Sequence, residues 1–161
     1  MLTLRAMEIE EAIRMLDIRN DRLDALRTSG PMTVEAQKHW YVDVVVRSMR
    51  DRWRSAFNDG GAFVGYCGIE YIQWENRLGE ISALAIHDDD QAEIINAAIR
   101  FGFDTLNLNS LYAEVYTCNR DAAIWTEAFG DLAECYTLPM RKWYQGKWYD
   151  SKYYVMVRED A

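Results

Sequence analysis

With 161 residues, half of them hydrophobic or aromatic, the chain can bury a core without disulfides or a structural metal, and a single domain over residues 1–161 is expected. Its 26 acidic against 18 basic residues give a net charge of -8, which disfavours non-specific attraction to nucleic acid or anionic membrane. Cys67, Cys118 and Cys135 are odd in number without C-x-x-C spacing, and no apolar run approaches the ~18 residues of a membrane span; a disulfide scaffold, a zinc module and a spanning protein are set aside, and a soluble cytoplasmic protein is expected.

In chain order, "LTLRAM" (2–7) alternates as a strand, and "EIEEAIRMLDIRNDRLDALRT" (8–28) follows with Ile9, Ala12, Ile13 and Leu16 at helical spacing. "SGPM" (29–32) breaks that helix, and Thr33 is the expected N-cap of a second, carrying Trp40, Val44, Val45 and Met49 near one face. Two extended runs flank "NDGG" (58–61), which is hairpin-turn chemistry, and "WENR" (74–77) leads to a third, "LGEISALAI". A helix over about 90–106 then returns to a strand, "SLYAEVYT" (110–117), and a helical crossover of that length implies parallel pairing of the strands it joins. After Asn119 come a short helix, "RDAAIWTEAFG", and two aromatic-rich strands joined through Gln145-Gly146. The expected fold is a mixed α/β sheet of order β-α-α-β-β-β-α-β-α-β-β.

That order, with "IRNDRLDALRTSGPMTVEAQKHW" (18–40), "GYCGIEYIQWENRLGEIS" (65–82), "LYAEVYTCNRDAAIWTEAFG" (111–130) and the closing "QGKWYDSKYYVMV", resembles the GCN5-related N-acetyltransferase (GNAT) superfamily. The nearest likeness is to its ribosomal-protein and sugar-amine acetyltransferase branch. The resemblance implies acyl transfer to a primary amine with acetyl-CoA as donor, and fold by itself does not fix function.

In that family the fourth strand runs into a Q/R-x-x-G-x-G/A loop whose amides and helix N-terminus hold the cofactor's pyrophosphate. The corresponding stretch here begins at Ile86 and His87 and reads "IHDDDQAEI", shorter than the usual loop, with no glycine, Arg or Lys from His87 to Ile99. Aspartates at 88, 89 and 90 suit a helix start as N-cap and dipole partners, worth roughly 0.3 to 1 kcal/mol. They compete with a pyrophosphate for the same donors and repel it. A metal site from His87 and the aspartates is the other reading, although adjacent residues rarely converge on one ion; no metal is expected. The loop therefore implies weak or different acetyl-CoA binding, or another donor.

Glu80 matches a glutamate that some members use as general base toward the acceptor amine, and Glu114 on the next strand is the second choice; a solvent-facing strand glutamate is the bland reading. Asn119 matches the family's asparagine after the fifth strand, which bonds the cofactor arm or a catalytic water, and could equally cap the helix that follows. Trp125 stands where many members carry the tyrosine that protonates the leaving thiolate, and an indole N–H cannot do so. Arg19, Asn20 and Trp40 resemble the acceptor-side residues, unless Arg19 pairs with a carboxylate and Trp40 fills the core. Arg141, Lys142 and Lys147 interleave with aromatics that include Tyr149, a pattern that can stack bases or form a core-facing or dimer-forming hairpin. Two classes of function remain open. One is an N-acyltransferase acting on a small-molecule or nucleotide amine, or on a nucleic-acid base. The other is a GNAT-like binding or assembly module without catalysis.

Overall fold

The computed structural model describes residues 1–28 and 30–158. Seven strands form one sheet: β1 (Thr3–Ala6), β2 (Arg52–Phe57), β3 (Phe63–Gln73), β4 (Leu78–Ala85), β5 (Ser110–Tyr116), β6 (Ala133–Tyr144) and β7 (Lys147–Val157), in the spatial order β1-β2-β3-β4-β5-β7-β6. Pairing is antiparallel throughout except between β4 and β5, which are joined by the helical crossover and run parallel. Asn58 anchors the first hairpin, its Oδ1 accepting from the Ala62 amide at 3.0 Å. Gln145 and Gly146, both at positive φ, close the last one.

Both faces of the sheet are covered. On one side α4 (Asp88–Arg100) and α5 (Ala122–Phe129) bury Ile94, Ile95, Ala98 and Phe129 against Ile69, Ile81 and Leu111. On the other, α1 (Ile9–Arg14), α2 (Leu16–Asp21) and α3 (Val34–Trp40) pack Ala12, Met15 and Trp40 against Trp53, Tyr66 and Leu84. The alternation of β2 and β3 sends neighbouring residues to opposite clusters, as a strand period of two requires.

The helices depart from the expected boundaries in ways that matter for the site. The span 8–28 is not one helix: α1 and α2 meet at Met15, and after Asp21 the chain leaves helical geometry. There Arg22, 2 % exposed, turns inward to carboxylates at Asp24 and Asp121. The residues 22–28 thus lie across the sheet as an irregular segment. Of the expected break at 29–32, Ser29 lies outside the described residues. Thr33 caps α3 as expected, accepting from the Ala36 amide at 3.1 Å. That helix continues through a π-helical turn over Tyr41–Val46 and stops, which leaves Met49 exposed instead of on the packed face. At α4 the N-cap is His87, not an aspartate; Asp88, Asp89 and Asp90 occupy the first turn, where they complement the dipole without capping.

Candidate functional site

β4 and β5 pair only at Leu78↔Ser110, Gly79↔Leu111 and Glu80↔Tyr112, yet β4 runs on to Ala85 and β5 to Tyr116. Beyond Glu80 the two strands therefore part, and the sheet opens into a gap. A cavity of about 300 Å³ fills it, roofed by the 22–28 segment and by Trp40, and walled by Trp53, Tyr66, Glu70, Glu80, Gln91, Glu114, Tyr116 and Trp125.

The cavity is densely charged. Glu70 and Glu80 are direct partners across β3 and β4, so their side chains share a face. Arg27, delivered by the irregular segment, donates through Nη1 to Glu80 Oε2 at 3.1 Å and through Nη2 to Glu80 Oε1, and lies 3.4 Å from Glu114 Oε2. Burial raises the Glu80 carboxyl above its ordinary value, with the Arg27 bond and charge opposing. Burial would also raise Glu114, but bonds from Arg141 Nε at 2.7 Å and Ser151 Oγ at 2.8 Å bring it below the usual carboxylate range. Glu70 has no hydrogen-bond partner among the described residues. Burial, followed by the charges of Glu80 and Asp51 and opposed by Arg27 and Arg19, pushes it up to about 7. A partner-free carboxylate titrating near neutrality is the arrangement that suits a general base.

One wall of the cavity is aromatic. Trp40, Trp53 and Tyr66 contact one another with ring centroids 5.1 to 5.9 Å apart, and the Arg19 guanidinium lies 5.0 Å over the Trp40 ring. Gly68 sets the Trp53 position: a Cβ there would stand 2.6 Å from the indole, so only glycine lets the ring lie flat on β3.

Gln91, 1 % exposed, crosses from the first turns of α4 to β4. The Ile86 amide turns to Val64 on β3, so the Ala85 amide turns the other way, into the gap. Gln91 Oε1 accepts from that amide at 2.8 Å, and its Nε2 donates to Ala83 O at 3.1 Å. One side chain thus satisfies two of the β4 groups that the departing β5 leaves without a strand partner.

Of the residues singled out from the sequence, the fold brings Arg19, Trp40, Glu80, Glu114, Asn119 and Trp125 to the wall of this one cavity. It does not bring Asn20, Ile86, His87, Arg141 or Tyr149 there. Asn20 clasps the Met32 backbone in both directions, at 2.9 and 2.8 Å. Ile86 and His87 link β4 to α4, and the bond of the Ile86 amide to β3 takes away a donor that a phosphate would need. Arg141 reaches the site only through Glu114, and Tyr149 packs beside Tyr144 in the terminal hairpin. Asn119 accepts from Arg22 Nη2 at 2.9 Å and from the Asp121 amide at 2.8 Å, which holds it in the buried Arg22 network. Arg19 has Gln37, not a carboxylate, as its hydrogen-bond partner, at 3.2 Å. Lys142 is buried and donates to the carbonyls of Leu26 and Thr28, bracing the roof of the cavity, whereas Lys147 stays exposed over the Tyr149 ring. Sequence reasoning missed Glu70, Arg27 and Gln91. Glu70 lies one strand from Glu80 in "GIEYI", and that register was the available signal.

Among the described residues no group of three His, Cys, Asp or Glu could hold a metal ion, and no helix is long and apolar enough to cross a membrane.

The model of the acetyltransferase (GNAT) domain family matches residues 1–130. A search of curated proteins finds no match. Among solved structures, the chain is similar to the spermidine N-acetyltransferase from Vibrio cholerae in complex with CoA and spermine, with a TM-score of 0.83 at 20% identity over 97% of this chain and 95% of that one. Glutamate-to-glutamine mutant forms of the spermidine/spermine N-acetyltransferase SpeG from Vibrio cholerae give 0.81 at 20% identity, over 99% and 95% of the two chains. These likenesses concern the fold.

Family membership and the CoA-bound neighbour support acetyl-CoA as the class of donor. The opened gap suits the acyl end of such a donor; the start of α4, with three first-turn aspartates and no glycine, does not fit its diphosphate. The family model spans the opened sheet, the charged cavity and α5 together, and the chain belongs to the GNAT acetyltransferase family.

Proposed function

We propose that the chain transfers an acyl group from a thioester-type donor to a primary amine bound in the cavity, with Glu70 taking the amine's proton. The observation that carries this reading is Glu70 itself, a cavity carboxylate without a protein partner and pushed up to about 7. An amine enters as an ammonium ion and must lose a proton before its lone pair can attack the acyl carbon; a carboxylate raised toward neutrality accepts that proton at less cost than an ordinary one. Glu80 supports the step in two ways. Its charge helps to raise Glu70, and its bonds hold Arg27 over the opening. To act as base itself it would first have to part from Arg27. The neighbours of this fold are by name spermidine N-acetyltransferases, so amines are the acceptor class to test first. A donor, when bound, supplies the activated acyl carbon.

A second reading, a binding module without catalysis, is favoured by one observation: Gln91 already occupies the β4 edge beside the gap.

The test is thiol release with an amine panel and two donors, acetyl-CoA and acetyl-pantetheine, the latter lacking the diphosphate. Turnover with acetyl-pantetheine at least equal to that with acetyl-CoA is expected, and Glu70→Gln should cut kcat by about 10²-fold or more. Amine binding without turnover from either donor would favour the binding module.

A further inference from the structure

Three arginines and four carboxylates line the cavity: Arg19, Arg22 and Arg27 against Glu70, Glu80, Glu114 and Asp121. Most are consumed by one another. Arg22 pairs with Asp121 at 2.7 Å, Arg27 with Glu80, and Glu114 with Arg141 from outside the cavity. Two charges of opposite sign remain without an ionic partner among the described residues, Arg19 and Glu70.

Arg19 is held ready. One nitrogen, Nη1, donates to Gln37, whose own amide is fixed on the Ala12 carbonyl at 2.8 Å, and the guanidinium is seated on Trp40. Its Nε is buried without a hydrogen-bond partner. Beside it, Trp53 is 4 % exposed, and its indole Nε1, likewise buried, has no partner either. A native fold rarely leaves one such donor orphaned, since the loss of hydration is not repaid; here two are orphaned, in side chains that line one cavity. Both lack an acceptor oxygen, and one of them is cationic. Tyr66, which contacts Trp53 and Trp40, lines the same cavity as the two free charges, Arg19 and Glu70.

We infer that the acceptor is zwitterionic, an amino-acid-type molecule whose carboxylate is bound by Arg19 and the Trp53 indole while its amine faces Glu70. A carboxylate supplies the planar pair of oxygens that guanidinium geometry favours, and the aromatic wall excludes water from the pair. The pattern distinguishes such an acceptor from a polyamine, which would bring a second cation toward Arg19. The inference rests on the amine-acceptor reading of the cavity.

Calorimetry without donor tests it directly, using glycine, β-alanine and γ-aminobutyrate against the chain-matched diamines and the matched carboxylic acids. At least one amino acid should bind about tenfold or more tightly than its diamine and its acid counterparts. Arg19→Gln should collapse that preference, and Trp53→Phe, which keeps the ring but removes the N–H, should reduce it severalfold. Equal or tighter binding of diamines overturns the inference, as does an amino-acid preference that survives Arg19→Gln, or no binding of any amino acid. Thiol-release assays on the same panel separate the two readings. Diamine turnover without amino-acid preference leaves amine acylation standing and sinks the zwitterion, whereas preferential amino-acid binding without turnover does the reverse.

Discussion

Glu70 is where a single side chain couples stability to chemistry. Its carboxyl is pushed up to about 7 in the fold, against an ordinary value of 4.5, so between those values the folded protein holds a proton that the unfolded chain has released. The contribution to stability is fully present below about 4.5 and is lost as pH rises through about 7. Glu70→Gln should therefore leave the unfolding free energy nearly unchanged at about pH 4.5, and raise it by on the order of 1 to 2 kcal/mol at about pH 8, after discounting for partial exposure. Urea melts at the two pH values would check this, and equal gains at both would show that the carboxylate is not perturbed. In the sequence this residue looked like one polar position on an alternating strand. Only its register partner Glu80 and the roof segment that delivers Arg27 give it an environment, and neither is local. Arg22 was hidden for the same reason: its partners Asn119 and Asp121 come from the far side of β5.

At the scale of elements, the order of strands and helices along the chain, the meander, the parallel crossover and the terminal hairpin were legible, because each is written in periodicity of two, in turn residues or in connection length. The helix ends were less so. The 22–28 segment has helix-forming residues, and it leaves the helix because burying Arg22 with its carboxylates outweighs local propensity. The start of α4 was legible in its chemistry though not in its cap: the lost glycines and the acidic turn could be read directly, while the reach of Gln91 back to β4 could not. That start carries a prediction. Each first-turn aspartate opposes a bound diphosphate by about 1 kcal/mol at surface-like dielectric, so changing Asp88, Asp89 and Asp90 together to Asn should tighten acetyl-CoA binding by roughly tenfold or more, with no comparable change for acetyl-pantetheine. Calorimetry with both donors measures it; an equal gain for both would place the effect at the acyl end, and weaker acetyl-CoA binding would mean that the aspartates hold a residue the diphosphate needs.

For the whole molecule, charge decides how a donor is met. The chain carries a net charge of -8, and a CoA ester is a polyanion, so approach is opposed at long range unless a local cationic site outweighs the field. Apart from Arg19, which faces the acceptor end of the cavity, the cations near the opening are engaged among the described residues. Arg120 pairs with Asp21 at 3.1 Å and lies in the field of Asp88, Arg141 and Arg27 are held by Glu114 and Glu80, and Lys142 is bound to backbone carbonyls. Salt shortens the reach of these fields from about 30 Å at 0.01 M to about 10 Å at 0.1 M. A phosphate cradle built of lysines and arginines loses affinity over that range; here repulsion is what is screened, so the affinity for acetyl-CoA should stay level or rise. The measurement is a set of titrations at fixed pH with increasing sodium chloride, with acetyl-pantetheine as the uncharged control. A steep fall for acetyl-CoA alone would mean that arginines now paired to carboxylates release them to the diphosphate, and the acidic start of α4 would then be a bystander to donor binding.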